Sequence, residues 1–440
     1  MALSTQPYKG ARDFYPEDKR LQNYMFGILR RAVESFGYEE YDAPILESLD
    51  LYLAKSGQEI VNEQTYNFED RGGRQVAIRP EMTPTVSRMV AARRQELAYP
   101  LRWYSIPNLW RYERPQHGRL REHWQLNVDL FGLDTIAAEH EIIMLVDHIM
   151  RSFGAHRDMY VIKLNSRKLT DYILHTYLGL DDVQSYTMSK LIDRMHKVER
   201  AEFVAQVDAL CTPMQRENGM VEKLLVFLKT KRLEDLSPEL KTNPAVTELN
   251  KLLEILRQVG VSNVRFDATL MRGFDYYTDI VFEVMDTAPE NNRSMFGGGR
   301  YDGLVGLFGV EPVPTIGFGM GDVTLQNFLQ DHNLLPELRP ITDAYVVLIG
   351  DVYAQAQRMI SELREIGLNI AVDSTERKPD KQIKAAVKKG IHYAIFIGEK
   401  ELAEQQYEIR NLVTGQSEHH GISRIVSIIK DYRKVFEPEE

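Results

Sequence analysis

The stretch Met271–Val284, MRGFDYYTDIVFEV, places an arginine, several acidic residues and two tyrosines among apolar residues. In its second half Ile280, Phe282 and Val284 alternate with other residues, which predicts a β-strand with one face toward a core. The opposite face, which includes Glu283, would be mostly polar. A polar strand face is often only solvated, so the rest of the chain must decide whether this one has a function.

Polar side chains also recur at alternate positions in other predicted strands. They are Arg111 and Glu113; Gln125, Asn127 and Asp129; and Arg79 and Glu81. A single such pair is commonly a surface ion pair worth under ~1 kcal/mol. On neighbouring strands the residues instead predict a sheet with one polar face. Arginine binds phosphate, carboxylates accept ammonium or ring N–H groups, and tyrosine rings form flat walls.

Glycine-rich and histidine-containing segments could suggest other chemistry. FGGGRYDG lacks the Gly-Lys-Ser/Thr of a phosphate-binding loop, and GFGMG at Gly317–Gly321 lacks the spacing of a dinucleotide fingerprint. Both are better interpreted as tight turns or close strand packing. His117, His123 and His140 do not have the spacing of zinc ligands, so we expect no metal site formed by a protein cluster.

The elements around these residues predict a large domain followed by a small one. A helix at 18–36 precedes strands and a long charged loop at 114–122, and residues 166–250 form a charged helical insertion. A proline-containing linker follows, and strands then alternate with helices, which predicts a small α/β domain. The predicted boundaries are 1–330 for the first domain, 331–342 for the linker and 343–440 for the second domain.

The composition is that of an ordinary globular protein. The chain has 440 residues, 43% apolar and 27% charged, which suits two to three domains. The single cysteine, Cys211, excludes an internal disulfide, and neither an apolar signal core nor a run of ~18 apolar residues is present. We therefore expect a cytosolic protein with no membrane segment. A net charge of −10 argues against wholesale coating of nucleic acid but still permits a local basic surface.

The motifs resemble those of the histidine–tRNA ligases, a family of class II aminoacyl-tRNA synthetases. YKGARDFYPED is similar to the N-terminal signature of that family, GYEEYDAPILE to class II motif 1, and RYERPQHGRLREHWQLNVDLFG to motif 2. MRGFDYYTDIVFEV and FGGGRYDGLV resemble two signatures of the histidine enzymes, and GFGMGDVTLQNFL lies where motif 3 belongs. The resemblance implies an α+β fold with an antiparallel catalytic sheet, a helical insertion and a C-terminal α/β anticodon-binding domain.

The resemblance also implies roles for individual residues. Arg111 would clamp the α-phosphate of ATP, Glu113 would lie near the adenine amine, and Arg272 would act with Arg111 in catalysis. The implied histidine-binding residues are Glu81, Thr83, Gln125, Asp129, Arg272, Tyr276 and Tyr277. The implied activity is ligation of L-histidine to tRNA(His) through a histidyl-adenylate, using ATP and Mg²⁺, in a cytoplasmic homodimer.

Two departures from the family pattern affect this interpretation. The family often has glutamate where Asp129 stands, which leaves a shorter side chain here. Its motif 3 arginine is replaced by Thr324, which cannot hold a phosphate charge. We expect Arg119 or Arg121 in the motif 2 loop to compensate, with Arg300 as a less favoured candidate. The alternative is a non-catalytic, histidine-binding regulatory paralogue that partners a phosphoribosyltransferase.

Overall fold

The computed structural model describes residues 3–53, 64–116, 118–270, 276–288 and 294–434. The chain divides into two compact units, Met1–Leu335 and Pro336–Glu440. None of the helices within the described ranges combines the length and the apolar character needed to span a bilayer.

The first unit mixes helices with short and long strands. Its helices are α1 (Pro16–Glu34), α2 (Leu49–Leu53), α3 (Thr83–Arg93), α4 (Ile136–Ser152), α5 (Arg167–Asp171), α6 (Asp182–Arg194), α7 (Arg200–Leu210), α8 (Pro213–Glu217), α9 (Met220–Lys229), α10 (Pro238–Lys241), α11 (Pro244–Gln258) and α12 (Asp322–Asp331). Its strands are β1 (Glu39–Glu40), β2 (Leu46–Ser48), β3 (Tyr66–Glu69), β4 (Gln75–Ile78), β5 (Leu101–Ser105), β6 (Asn108–Trp110), β7 (Glu122–Phe131), β8 (Tyr160–Ser166), β9 (Val264–Phe266), β10 (Ile280–Asp286), β11 (Ser294–Arg300) and β12 (Thr315–Gly321).

A large sheet forms the centre of the first unit. Among the described residues its strands lie in the order β1-β5-β7-β12-β11-β10-β8-β9, and β6 pairs with the start of β7. All neighbours in the run from β5 to β8 are antiparallel, whereas the outer pairs β1·β5 and β8·β9 are parallel. The antiparallel centre and the surrounding helices confirm the predicted α+β class.

One face of this sheet is packed against helices. Leu126, Val128 and Leu130 of β7 point into the main core together with Phe318 of β12. On β10 the predicted alternation is confirmed, because Ile280, Phe282 and Val284 are buried in the same core. Helices α1 and α4 cover this face, so the other face is left for the polar side chains.

Residues 167–258 are helical apart from short connections, and they contain α5–α11 and a π-helical turn at Tyr172–Tyr177. Their apolar side chains, such as Leu224 and Leu249, join the main core. The strand–helix rhythm predicted after residue 343 is confirmed in the second unit. Its elements are β13 (Ala344–Leu348), α13 (Tyr353–Glu365), β14 (Ile370–Val372), α14 (Pro379–Lys388), β15 (Tyr393–Ile397), α15 (Glu399–Glu404), β16 (Tyr407–Asn411), β17 (Ser417–His420) and α16 (Ile422–Lys434).

The sheet of the second unit has the strand order β14-β13-β15-β16-β17 among the residues described. The first three strands are parallel and the last two are antiparallel. Apolar side chains of α13 and α16 pack on one face of this sheet, including Ile360, Leu363 and Ile429. The unit therefore has a hydrophobic core of its own.

Candidate active site

Glycines form the middle of the polar face of the large sheet. Gly317 and Gly319 on β12 pair with Asp129 and Asn127 on β7, and both glycines also pair with glycines of β11. A Cβ atom at Gly317 would lie 2.6 Å from Asp129 Oδ1, and one at Gly319 would overlap the Gln125 amide. The glycines are thus explained by close packing, and they leave a trough between flanking polar side chains.

Asp129 lies at one end of this trough and is 3% exposed. Its Oδ1 accepts a hydrogen bond from the Tyr301 hydroxyl, while its Oδ2 is buried with no hydrogen-bond partner among the described residues. Burial raises the pKa of Asp129 to about 7, and the bond from Tyr301 lowers it only in part. A buried carboxylate oxygen of this kind is suited to accept a hydrogen bond from a ligand.

Glu81 provides a second buried carboxylate near the same end. It precedes α3, and its Oε2 accepts a 3.3 Å hydrogen bond from the Tyr276 hydroxyl, which also interacts with Thr83. The Tyr276 ring makes edge contacts with Tyr277 and Tyr301, at centroid distances of 5.1 and 5.6 Å. The predicted residues Glu81, Thr83, Asp129, Tyr276 and Tyr277 therefore cluster in one aromatic cup.

Gln125 is further along the trough. Its Nε2 donates to Asn127 Oδ1 at 2.8 Å. Arg111 and Glu113 were expected to share one face of a strand, and this is wrong, because β6 ends at Trp110. The chain leaves the ladder there, since Tyr112 N donates to Gln64 O, outside the β6·β7 ladder. The Nε atom of Arg111 donates to the Pro80 carbonyl at 2.9 Å, which fixes the guanidinium next to the cup.

The two candidate arginines of the motif 2 loop differ in their surroundings. Arg119 is half-exposed and forms a 3.3 Å ion pair with Glu113. Arg121 is 8% exposed, and its Nε donates to the Glu113 carbonyl at 3.1 Å. Its guanidinium also lies 3.9 Å from the centre of the Tyr112 ring. Arg119 is therefore placed to change partners, whereas Arg121 is held in the base of the loop.

The position of the missing motif 3 arginine is occupied by polar but uncharged groups. The Thr324 hydroxyl donates to the Met295 carbonyl at 2.8 Å. Arg300 is buried, with Nε 2.5 Å from Glu139 Oε1 and Nη1 3.4 Å from Asp302 Oδ1. These ion pairs give Arg300 a structural role in the sheet, which makes it a poorer candidate than Arg119 for binding a phosphate.

A cavity of about 400 Å³ opens beside this position. The loop, the sheet, α12 and the segment at the end of α6 in the helical insertion all contribute to its walls. Its lining includes Arg119, Lys163, Lys197, Glu283, Thr324 and Asn327. Cations and carboxylates thus both line this space, and Asp129 is not among its lining residues.

Arg272 and His117 lie outside the described residues. In the part of the chain that the structure describes, no group of three or more His, Cys, Asp or Glu residues could hold a metal ion. His123 is half-buried beside two arginines, and desolvation together with the charges of Arg111 and Arg12 lowers its pKa to about 3, so its imidazole is neutral near pH 7.

Sequence reasoning missed two parts of the site. Tyr301 was not singled out, although it follows Arg300 in the glycine-rich signature and bonds to Asp129 across 172 residues of sequence. The aromatic residues around Arg121 were also missed. They are Tyr8, Tyr66, Trp110 and Tyr112. Their separation along the chain leaves no periodic signal to find.

We predict that Asp129→Asn stabilises the protein in a pH-dependent manner. An unfolded aspartate has a pKa of about 3.9, and the folded pKa of Asp129 is raised to about 7. Between these values the unfolded chain releases a proton that the folded chain retains, so the wild type loses stability as pH rises. The melting temperature of the variant minus that of the wild type should therefore increase from pH 4 to about pH 7 and then stay constant.

Thermal denaturation between pH 4 and pH 8.5 measures this difference. Asp331→Asn, at an exposed position of α12, is the matched control. A difference that does not change between pH 4 and pH 7 would contradict the raised pKa.

Known proteins of one family resemble this chain over most of its length. A family model described as histidyl-tRNA synthetase matches residues 10–323, and one described as an anticodon-binding domain matches residues 343–432. A histidine–tRNA ligase from Leptospira biflexa is 44% identical over 98% of both chains. One from Thermoplasma volcanium is 37% identical over 94% of this chain and 96% of its own.

Solved structures show the same fold. A histidyl-tRNA synthetase from Nostoc sp. PCC 7120 superposes with a TM-score of 0.81 at 24% identity, covering 98% of this chain and all of that one. An ATP phosphoribosyltransferase regulatory subunit/histidyl-tRNA synthetase from Bacillus halodurans gives 0.74 at 21% identity, covering 90% of this chain and 99% of that one. On the family match and the identity to full-length relatives, the chain belongs to the histidyl-tRNA synthetase family, the histidine–tRNA ligases.

Proposed function

We propose that this chain ligates L-histidine to tRNA(His), using ATP to form a histidyl-adenylate. The observation that carries the proposal is the cup of Glu81, Asp129, Tyr276 and Tyr301 at one end of a glycine-floored trough, with Arg111 beside it. The cup can hold a small cationic and aromatic molecule. The arginine can hold the phosphate that this molecule attacks.

The cup would recognise histidine by its ammonium and by its ring. Glu81 is 2% exposed and, with Thr83, would accept the ammonium. The unpartnered Oδ2 of Asp129 would accept a ring N–H, with Tyr277 and Gln125 completing the walls. An analogue without that N–H would leave a buried carboxylate unpaired, and this penalty favours histidine strongly.

In the activation step a carboxylate oxygen of histidine attacks the α-phosphorus of ATP. The new P–O bond forms as the bond to pyrophosphate breaks, so negative charge grows on oxygens around the α-phosphorus. Arg111 and Arg272 would stabilise this charge, and Glu113 would hold the adenine amine. Both cations are charged in every step, so catalysis comes from positioning and electrostatics. In the second step a ribose hydroxyl of the tRNA attacks the histidyl carbonyl and AMP leaves.

The triphosphate carries more charge than Arg111 can balance, and Thr324 supplies none. Arg119 would leave Glu113 and bind the phosphate tail, because it is half-exposed and lines the adjoining cavity. Arg121 was the other candidate, but its contacts in the loop base favour Arg119. Mg²⁺ would be held mainly by the phosphate oxygens of ATP, where it neutralises charge on the leaving pyrophosphate.

The second unit would bind the tRNA. Helix α14 and the turn before it expose a row of cations, namely Arg377, Lys378, Lys381, Lys384, Lys388 and Lys389. Exposed cations on one helix are often only solvated, but a basic row in a chain of net charge −10 marks where phosphates can bind. The anticodon-binding match over residues 343–432 supports this assignment.

We also propose that the protein is a homodimer in the cytoplasm. The three-stranded sheet β2-β4-β3, counted over the described residues, carries Leu46 and Phe68 on its outer face. These side chains are 44% and 45% exposed, and Ile45 beside them is 46% exposed. Large exposed apolar groups that lie together favour burial against another surface. Strand β2 of this sheet belongs to the segment that resembles class II motif 1, so we propose that a second copy of the chain covers the sheet.

The regulatory-paralogue alternative has less support. The loss of the motif 3 arginine at Thr324 favours it, but the match to an anticodon-binding domain and the presence of Arg111 and Glu113 argue against it. A regulatory subunit would bind histidine without activating it. Histidine-dependent exchange of pyrophosphate into ATP therefore separates the two functions.

We predict rapid histidine-dependent ATP–pyrophosphate exchange by the wild type. Arg272→Ala should lower the rate by ~10²–10³, the usual cost of losing one preorganised donor. Arg111→Lys should also lower it, because an ammonium cannot reproduce the guanidinium fork. Arg93→Ala, at an exposed arginine, is the matched control. Exchange by Arg272→Ala within a few-fold of wild type would refute the role proposed for Arg272.

We further predict that the second unit serves aminoacylation more than adenylate formation. The triple variant Lys381→Glu, Lys384→Glu and Lys388→Glu should charge tRNA poorly while keeping pyrophosphate exchange. Removal of residues 340–440 should act in the same direction. The charge-matched control is Lys400→Glu, Lys430→Glu and Lys434→Glu in the same unit. Equal losses of both activities in the α14 variant would contradict the assignment.

The dimer proposal predicts that Phe68→Asp shifts the sedimentation mass from two chains toward one. Burying a carboxylate in an apolar interface without a partner is costly. Leu307→Asp, at an equally exposed apolar residue elsewhere in the first unit, should leave the mass unchanged. A wild type that sediments as a single chain at micromolar concentration would overturn the proposal.

A further inference from the structure

The segment Tyr8–Phe14, here called the N-terminal strap, runs beside the start of β7. The Gly10 carbonyl accepts hydrogen bonds from Arg121 N at 2.9 Å and Glu122 N at 3.2 Å. The Tyr8 hydroxyl accepts a bond from Arg121 Nη1 at 3.1 Å. Gly10 has φ +85°, and a Cβ atom there would lie 2.8 Å from Arg121 Cγ. The strap therefore packs against Arg121 more closely than a residue with a side chain would allow.

Arg121 also contacts the other limb of the motif 2 loop. Its carbonyl accepts from Arg111 N at 2.8 Å, and its Nε donates to the Glu113 carbonyl at 3.1 Å. The two limbs of the loop are thus joined by one buried residue. Arg111 and Glu113 face ATP in the proposed function, so the position of Arg121 sets the position of both.

The other end of the strap holds helix α12. Arg12 Nη2 lies 2.7 Å from Asp322 Oδ2, and Asp322 Oδ1 accepts from Trp124 N at 3.0 Å. Asp322 is the first residue of α12 and stands two residues before Thr324. Phe14 packs edge-on against Trp124, with ring centroids 5.2 Å apart. The strap therefore connects the motif 2 loop to the helix that begins at motif 3.

The motif 2 loop also approaches α12 directly, at Gly118. Gly118 is close to that helix, since a Cβ atom at Gly118 would lie 3.7 Å from Thr324 Cγ2 and 3.9 Å from Asn327 Nδ2. The small Thr324 side chain leaves room for this approach. Arg119 follows Gly118 directly, so the position of Gly118 against α12 sets how far the Arg119 side chain can reach.

We propose that the N-terminal strap positions the ATP-binding groups, with Arg12 acting through Asp322 on α12 and Tyr8 acting through Arg121 on the motif 2 loop. These are positioning residues, because their described contacts are to protein groups. The inference rests on the proposed function for the identity of the ligand. It adds that ATP binding, and not histidine binding, depends on the strap.

Two variants remove the link at α12. Arg12→Met keeps the length of the side chain without its charge, and Asp322→Asn keeps the shape of the carboxylate. Both should raise the KM for ATP by about 10-fold or more, since small misplacements of binding groups are costly. The KM for histidine should stay within about 2-fold, because the cup is formed by other elements. Arg12→Lys should restore part of the lost ATP affinity.

A matched control separates positioning from stability. Arg102 forms a two-bonded ion pair with Glu141 at 2.8 Å in the same unit, away from the loop and α12. Arg102→Met should lower the melting temperature to a similar degree without changing the KM for ATP. If Arg12→Met does not fold, Tyr8→Phe, which removes only one hydroxyl, tests the other end of the strap by the same readout.

Calorimetric titration with ATP alone keeps this test independent of catalysis. Absent exchange by the wild type would overturn the proposed function, whereas weaker ATP binding by Arg12→Met than by Arg102→Met would still support the strap. The strap proposal fails if Arg12→Met and Asp322→Asn bind ATP as the wild type does. It also fails if they raise both KM values equally, or if the double variant loses as much as the sum of the two single variants.

Discussion

The absence of side chains on the polar face of β11 and β12 is the constraint on which the site depends. Side chains from neighbouring strands lie across Gly299, Gly317 and Gly319, and a Cβ atom at Gly299 would lie 2.9 Å from the Tyr277 ring. Glycine in a strand interior normally weakens a sheet because it packs nothing and loses much backbone entropy. Here the burial of the opposite sheet face, with Phe282 and Phe318 in the main core, offsets that loss and keeps the strands in register.

The trough buries the carboxyl group of Asp129, and this burial disfavours the ionised form. Asp129 has only the Tyr301 hydroxyl as a described partner, and its raised pKa expresses the cost of ionising it in the free protein. A ligand that donates to its other oxygen would recover part of this free energy on binding. Burial of the Asp129 carboxyl group therefore costs free energy in the free protein, and a ligand that donates an N–H to it recovers part of that cost. A ligand without this donor does not, and this difference makes the site specific.

The sequence predicted local patterns better than contacts between distant segments. The alternation of Ile280, Phe282 and Val284 and the strand–helix rhythm after residue 343 have fixed periods, so the fold class followed from them and from the motifs. The strand assigned to Arg111 and Glu113 was wrong, because alternation of polar residues cannot show where a ladder ends. The bond between Arg12 and Asp322 joins residues 310 positions apart, and neither residue belongs to a pattern that would connect them.

Replacing a helix-borne arginine by Thr324 changes how the phosphate tail can be held. A cation on α12 would be fixed by the helix, whereas Arg119 is carried by a loop and forms an exposed ion pair with Glu113, which contributes little to stability. Exchange of Glu113 for a phosphate therefore costs little, but a flexible cation loses more conformational entropy on binding. Rigid attachment of the loop base reduces that loss. The buried contacts of Arg121 with Tyr112, Glu113 and Gly10 hold the base of the loop, so most of the entropy lost when a phosphate binds is that of the Arg119 side chain.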